Sequence, residues 1–211
     1  MADGTGANHA RRIRMEPPAE RFSDALRALP TLAAAEGRGP RLGRVLGRLG
    51  SRAHGTAILL LALPEAVPLP VPSAGAVLGV PLMVISAHLA VFGERGTLPR
   101  GVLDWRIPPR MIGMVARRVV PAVLRAERWS RQRLPGVAAR ERPVGAVCLA
   151  LSLLLFLPIP LVNVPLAMGL VILAWGLVQR DGAVVAVGLA YTAALLAVLA
   201  AGSAALIRWV R

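Results

Sequence analysis

GTAILLLALPEAVPLPVP, residues 55–72, is an apolar segment interrupted by four prolines, and a further apolar segment continues to Gly93. The uninterrupted part covers about a dozen residues, or roughly 18 Å as a helix, whereas a bilayer core is about 30 Å thick. Prolines remove backbone N–H donors and free carbonyls from helical bonding, so their groups need other partners at membrane depth. We therefore predict a broken helical hairpin over residues 55–93, which either re-enters or spans a membrane.

A second stretch of the same kind follows ninety residues later and predicts another broken hairpin over residues 144–180. Aligned without gaps, residues 52–84 and 142–174 contain eight identical pairs. These pairs are Arg52/Arg142, Gly55/Gly145, Leu59/Leu149, Leu61/Leu151, Leu63/Leu153, Pro68/Pro158, Pro70/Pro160 and Gly79/Gly169. Proline-interrupted apolar segments at corresponding positions of two halves point to the functional centre of a membrane protein. The predicted helix breaks are Pro68, Pro70, Pro158, Pro160 and Pro165.

Composition and charge indicate an integral membrane protein with a cytoplasmic N-terminus. The chain has 211 residues, 55% apolar content and a mean hydropathy of +0.60, which is too apolar for an ordinary soluble domain. Its net charge of +14 comes from arginine alone, with ten arginines in residues 1–54 and twelve in residues 93–143. Short basic segments stay in the cytoplasm. No aromatic residues interleave a basic patch, so we expect no nucleic-acid partner.

The remaining segments complete an all-α membrane protein. Residues 1–21 are predicted to be a disordered tail, and residues 22–54 to form basic amphipathic helices on the cytoplasmic membrane surface. Residues 94–143 form an arginine-rich cytoplasmic connector, in which a helix over residues 111–131 should end or kink at Pro121. Residues 181–211 form a C-terminal transmembrane helix. Because the connector is cytoplasmic, parallel rather than inverted repeats are favoured.

An ordered series of short motifs resembles the exopolysaccharide synthesis ExoD family of bacterial multipass membrane proteins. The motifs are RLGRVLGRLGSRAHG at 41–55, LALP at 61–64, PLP at 68–70, LGVPL at 78–82, LPR at 98–100, PIP at 158–160, NVP at 163–165 and GLVQRDG at 176–182. The resemblance covers about residues 23–205. It departs at His88, where the family often has glutamine, and at Thr97, where it commonly has tryptophan. It implies a part in making or exporting surface polysaccharide, with no catalytic residue to carry over.

Four polar side chains are candidates for a substrate or ion path. Glu65 is the one acid inside the first apolar unit, beside the proline break, where it either faces water or marks a functional site. His88 either relays protons with Glu65 or lies at the cytoplasmic interface, the second being favoured. Ser73 and Asn163 follow the two Pro-x-Pro breaks and are expected to cap the returning half-helices. The alternative is that those helix starts converge on an anion, such as a polyprenyl phosphate.

Arg52, Arg142 and Arg180 flank the apolar units as membrane-boundary or anion-attracting residues, and Asp181 is expected to cap the last helix. No nucleophile elbow, P-loop, dinucleotide fingerprint or metalloprotease motif occurs, so we expect neither an enzyme nor a cofactor or metal. Two functions stay open. One is translocation of an anionic lipid-linked sugar or its polyprenyl carrier. The other is a non-catalytic assembly or regulatory subunit of a polysaccharide synthase.

Overall fold

A computed structural model describes residues 26–27, 30–31, 34, 39–49, 53–66, 74–108, 112–113, 117, 120–129, 134–157 and 162–210. The regular elements in these ranges are helices, and the one β contact there is an isolated bridge between Arg41 and Arg106. The helices are α1 (Leu42–Leu49), α2 (Ala53–Ala66), α3 (Ala74–Phe92), α4 (Arg100–Leu103), α5 (Val120–Trp129), α6 (Pro135–Ala138), α7 (Glu141–Phe156), α8 (Asn163–Gln179) and α9 (Gly182–Val210), and a 3₁₀ turn spans Gly93–Arg95. The expected all-helical class is confirmed.

The core consists of two helical hairpins, α2 with α3 and α7 with α8, packed against one another. Helix α3 packs mainly on α7, and α2 packs mainly on α8, so the first helix of each hairpin contacts the second helix of the other. All four helices carry apolar residues on every side, which is why the interior of the bundle is built almost wholly from leucine, isoleucine and alanine.

Two glycines mark close contacts between helices of this core. A Cβ added at Gly55 of α2 would meet Leu177 Cβ and Val178 Cγ2 of α8 at 3.4 and 3.3 Å. A Cβ added at Gly145 of α7 would meet the Ala90 backbone nitrogen of α3 at 2.5 Å. Small residues at such positions let helix backbones approach closely. The starts of α2 and α7 therefore lie at the same end of the bundle as the ends of α3 and α8.

The prolines inside the hairpins interrupt the helices less than the sequence suggests. Pro64 lies within α2, which continues to Ala66, and Pro81 lies within α3. Pro165 was predicted to break a helix, but it occupies the first turn of α8, which begins at Asn163. A proline costs little in a first turn, where its missing N–H would have no helical partner. Pro68, Pro70, Pro158 and Pro160 lie outside the described residues.

Within the part of the chain that the structure describes, two helices are long and apolar enough to cross a membrane, by length and composition. They are the segment Leu78–Arg95, which includes most of α3, and Gly182–Trp209 of α9. Helices α2 and α8 are apolar but shorter. Of these two segments, the one in α9 is the less buried, with 17% of its apolar stretch inside the protein. Helix α9 packs chiefly along α8.

The predicted amphipathic pattern of α1 is confirmed, but the expected partner of its apolar face is wrong. Leu42, Val45 and Leu46 are all buried, while Arg44 is exposed. The helix packs on α4 and α2 rather than presenting this face to a membrane, and a Cβ at Gly43 would lie 3.1 Å from Leu103 Cβ. Hydrophobic spacing identifies the buried face of a helix without identifying what buries it.

In the connector, helix α5 begins at Val120, so Pro121 lies in its first turn, where a proline costs little. Ile112 and Gly113, upstream of it, are also helical. The predicted tail, residues 1–21, lies outside the described residues.

Candidate functional site

Glu94 forms the centre of a polar cluster at the end of the bundle where α2 begins. Its Oε1 accepts a hydrogen bond from the Gly55 backbone N–H at 2.6 Å, and its Oε2 accepts one from the His54 N–H at 3.0 Å. The first N–H groups of a helix have no partner within the helix, and a carboxylate also matches the partial positive charge there. Glu94 therefore caps α2 from a distant part of the chain.

Two histidines stack beside this cap. His54 Nε2 lies 2.8 Å from His88 Nδ1, and the ring centroids are 5.0 Å apart with an interplanar angle of 11°. His54 is fully buried, and its Nδ1 lies 3.4 Å from Glu94 Oε2, an ion-pair distance without hydrogen-bond geometry. One tautomer suits both contacts: His54 carries its proton on Nδ1, toward the carboxylate, and accepts at Nε2 from His88. The two imidazole rings therefore share one hydrogen bond and stack on each other.

Glu141 connects this cluster to the second hairpin. Its Oε2 accepts a hydrogen bond from the Glu94 backbone N–H at 2.9 Å. Gly93, the preceding residue, has a left-handed φ of 67°, and a Cβ there would lie 2.9 Å from the same oxygen. Only glycine adopts this conformation at little cost while leaving room for the carboxylate. The cluster thus ties α2, α3 and α7 together at one point.

Glu65 and Asn163 define a second polar region, at the opposite end of the bundle. Helices α2 and α8 run in opposite directions, so the end of α2 and the start of α8 come to the same end of the bundle. Glu65 Oε1 and Asn163 Oδ1 are each buried without a hydrogen-bond partner among the described residues. Buried polar atoms are nearly always satisfied, because leaving one unpaired costs about 1–3 kcal/mol. Such atoms call for water or a ligand.

The expected capping role of Asn163 is wrong. Asn163 is the first residue of α8, the N-cap position is Val162, and no side chain caps this helix start. Tyr191 of α9 instead donates a hydrogen bond to the Pro165 carbonyl at 3.1 Å, which holds the first turn in place. Ser73, the matching residue of the first hairpin, lies outside the described residues. In the first turn of α8, Pro165 has no N–H and the Leu166 N–H bonds the Val162 carbonyl at 3.2 Å, which leaves Asn163 and Val164 as the remaining backbone donors beside the Asn163 side chain.

His88 does not approach Glu65. It contacts His54, which is eleven residues before Glu65 on α2 and so about 16 Å away along the helix axis. The favoured alternative, a histidine at the arginine-rich end of the hairpin, agrees with this position. Arg142 and Arg180 are exposed at that end, whereas Arg52 lies outside the described residues. Within the described ranges, no three His, Cys, Asp or Glu side chains are grouped so as to hold a metal ion.

The junction between α8 and α9 agrees with its prediction. Asp181 Oδ1 accepts hydrogen bonds from Ala183 and Val184 N–H at 3.1 and 3.4 Å, so its capping role is confirmed. The left-handed residue of the turn is Arg180, with φ 53°. Gly182 is required for space, because a side chain there would collide with the Leu134 carbonyl.

Sequence reasoning missed His54, Glu94 and Glu141. Each of these residues borders an apolar segment. The sequence did offer one signal, because the chain has only eleven acidic residues and two of them, Glu94 and Glu141, lie directly beside the helix ends that meet here. The hydrogen bonds that join the start of α2 to Glu94, and Glu94 to Glu141, connect residues 39 to 47 positions apart. No local sequence pattern predicts such contacts.

Two apolar helical hairpins beside a long C-terminal apolar helix, with polar groups collected at the hairpin ends, define an all-α protein with the hydropathy of a membrane protein. The chain belongs to the family described as "Exopolysaccharide synthesis, ExoD", which matches residues 22–201. This confirms the resemblance inferred from the sequence motifs. Membership implies a role in exopolysaccharide synthesis.

Two relatives cover most of the chain. It is 28% identical over 200 residues to "Protein ExoD" of Rhizobium meliloti (strain 1021), covering 86% of this chain and 83% of that protein. It is 25% identical over 162 residues to an uncharacterized protein of Synechocystis sp., covering 74% of this chain and 76% of the relative. No solved structure matches the chain.

Proposed function

We propose that this chain is a multipass protein of the bacterial inner membrane that translocates an anionic lipid-linked sugar, or the polyprenyl phosphate that carries it, at its proline-rich breaks. The observation that carries the proposal is the pair of buried, unpartnered acceptor atoms at the breaks, Glu65 Oε1 and Asn163 Oδ1. They lie at the same end of the bundle as the start of α8, where the N-cap residue Val162 supplies no side-chain cap and where we place the phosphate, against the backbone N–H groups of Asn163 and Val164. A sugar phosphate needs both kinds of partner, because its hydroxyls donate and its phosphate accepts.

Exposed apolar side chains support insertion of several helices in a bilayer. Large apolar residues are exposed on α3, α7, α8 and α9, among them Val80, Val84, Val91, Leu153, Phe156, Met168, Val187 and Val198. An apolar surface of this extent is unusual on a soluble monomer. We propose that these residues face lipid and that α2, most of whose residues are buried, lies inside the bundle.

We also propose that the two hairpins are parallel repeats related by a two-fold axis along the bundle. Gly55 and Gly145, ninety residues apart, make corresponding crossings, the first against Leu177 and Val178 and the second against Leu89 and Ala90. The residues that these glycines contact, Leu177 with Val178 and Leu89 with Ala90, are 88 positions apart in the sequence. In this arrangement both breaks face the same side of the membrane. The exposed Arg142 and Arg180 lie at the opposite end, which we assign to the cytoplasm.

Replacing the acceptor atoms tests translocation. We expect Glu65→Gln, which replaces one carboxyl oxygen by an NH2 donor, and Asn163→Leu, which removes the amide oxygen, each to reduce exported exopolysaccharide about tenfold, since one lost hydrogen bond to a buried charged or polar group corresponds to that factor. The measurement is secreted polysaccharide from a strain whose own copy is deleted, normalised to the amount of each variant in the membrane fraction. Asp104→Asn is the matched control, because that carboxylate is exposed and remote from the breaks. Unchanged export with either variant at normal abundance contradicts the proposal.

The second candidate function, an assembly or regulatory subunit of a synthase, is favoured by the exposed arginines of the connector. Arg100, Arg117 and Arg125 all lie on its surface. If the connector binds a partner, Arg100→Glu with Arg125→Glu should release a protein that co-purifies with the wild type, while Arg208→Glu on α9 should not. Translocation by the purified protein alone in liposomes would argue against this function.

A further inference from the structure

We propose that a pocket at the arginine-rich end of the bundle binds the phosphate group of a lipid phosphate ester. The pocket, called here the arginine pocket, has a volume of about 360 Å³ and lies where α3 ends and α7 begins. Its polar lining includes Arg95, Arg140, Glu141 and Arg142, and Phe92 lies at its apolar side. It is separate from the Glu65 and Asn163 region, which is at the other end of the helices.

The charge of the pocket favours an anion. All three arginines are exposed, and within the described part of the chain their side chains form no hydrogen bond or ion pair. The single carboxylate of the lining, Glu141, already accepts the Glu94 N–H at 2.9 Å. Helix α7 starts at the pocket without a side-chain cap, so its positive end adds to the three guanidinium charges. Three cationic groups with unused donors thus face one cavity.

The donors and the size of the pocket indicate which kind of ligand it binds. Guanidinium groups bind phosphate through paired N–H donors, which is why arginine predominates in phosphate recognition. A volume of about 360 Å³ falls within the range of small-molecule pockets and exceeds what a bare phosphate needs. Phe92, which lines the pocket and is 54% exposed, belongs to the exposed apolar surface of α3. A phosphate attached to an apolar chain fits both parts.

This inference deepens the proposed function, on which its physiological meaning rests, by naming a loading site for the phosphate end of the substrate. Binding and translocation can nevertheless be separated. A Glu65→Gln protein that no longer supports export should still bind a lipid phosphate at the arginine pocket. If this variant loses export but still binds the lipid phosphate, the assignment of the arginine pocket as a phosphate site stands.

The test is equilibrium binding of farnesyl phosphate to the purified full-length protein in detergent. Farnesol, which lacks the phosphate, and inorganic phosphate, which lacks the chain, are measured in parallel. We expect Arg95→Gln, Arg140→Gln and Arg142→Gln each to weaken farnesyl phosphate binding roughly tenfold, the usual effect of losing one charge-assisted hydrogen bond. Arg180→Gln is the matched control, an exposed arginine at the same end that does not line the pocket.

The three ligands distinguish the possible outcomes. Tight farnesyl phosphate binding with weak phosphate binding supports a lipid phosphate site, whereas equal binding of inorganic phosphate assigns the pocket to the free anion and overturns the lipid source. Equal binding of farnesol would show that the chain alone is recognised and would refute a phosphate site. An equal loss in Arg180→Gln, or no binding of farnesyl phosphate by the wild type, would also refute it.

Discussion

Gly145→Ala is expected to remove most of the folded protein from the membrane fraction. A Cβ at this position would lie 2.5 Å from the Ala90 nitrogen and 2.8 Å from the Leu89 carbonyl carbon, both of which are backbone atoms of α3. A flexible side chain could move aside, but a packed helix backbone has to shift as a whole. Since α3 and α7 form the most extensive helix pair of the core, the cost should reach about 3 kcal/mol.

Gly202→Ala provides the matched control for this effect. Gly202 lies inside α9, and a Cβ there would meet nothing within 4 Å. Alanine favours a helix over glycine by about 1 kcal/mol, so this variant should be neutral or slightly stabilised. Thermal unfolding in detergent, followed by circular dichroism, measures both. A Gly145→Ala protein as stable as wild type would mean that α3 and α7 do not cross closely at this point.

Glu94→Ala is expected to destabilise the fold nearly as strongly. The substitution leaves the N–H groups of His54 and Gly55 without their acceptor in the interior, at about 1–3 kcal/mol for each unsatisfied donor. It also removes the negative charge next to His54 Nδ1, which is fully buried. Glu94→Gln keeps one carbonyl oxygen and should lie between alanine and wild type.

Asp104→Asn serves as the control for Glu94, because it removes a carboxylate from a surface ion pair. Asp104 lies 3.3 Å from Arg41, and both side chains are more than half exposed. Exposed pairs contribute about 0–1 kcal/mol, so little change is expected. Urea or thermal unfolding of the detergent-solubilised variants gives the ranking. Equal stability of Glu94→Ala and Asp104→Asn would show that the cap does not hold α2 in place.

Helix α1 shows what a local sequence pattern can predict and what it cannot. The spacing of Leu42, Val45 and Leu46 correctly identified a buried face, but this face packs on α2 and α4 instead of on a membrane surface. A basic amphipathic helix has the same pattern in both situations. Which surface covers it depends on segments that lie distant in the chain.

Asn163 shows the converse. Its position after a Pro-x-Pro break agrees with a capping residue in sequence terms, yet its side-chain oxygen is buried and unpaired at a helix start that begins with Asn163 itself. A shift of one residue in the helix start separates these two roles, and boundaries at this precision depend on tertiary packing. The difference matters for function, since a buried acceptor that has no partner among the described residues is a candidate binding site, whereas a satisfied cap is not.

Hydrophobicity, proline placement and arginine distribution were sufficient to predict apolar helical segments within residues 55–93, 144–180 and 181–211 and a membrane-type composition, because these properties act within one segment of the chain. The mutual packing of the hairpins, the cap that Glu94 supplies to α2 and the cluster of His54 with His88 were not predictable in this way. Each depends on which helix faces which across the core. That choice is made by close contacts at a few glycines, whose effect appears only when two distant segments meet.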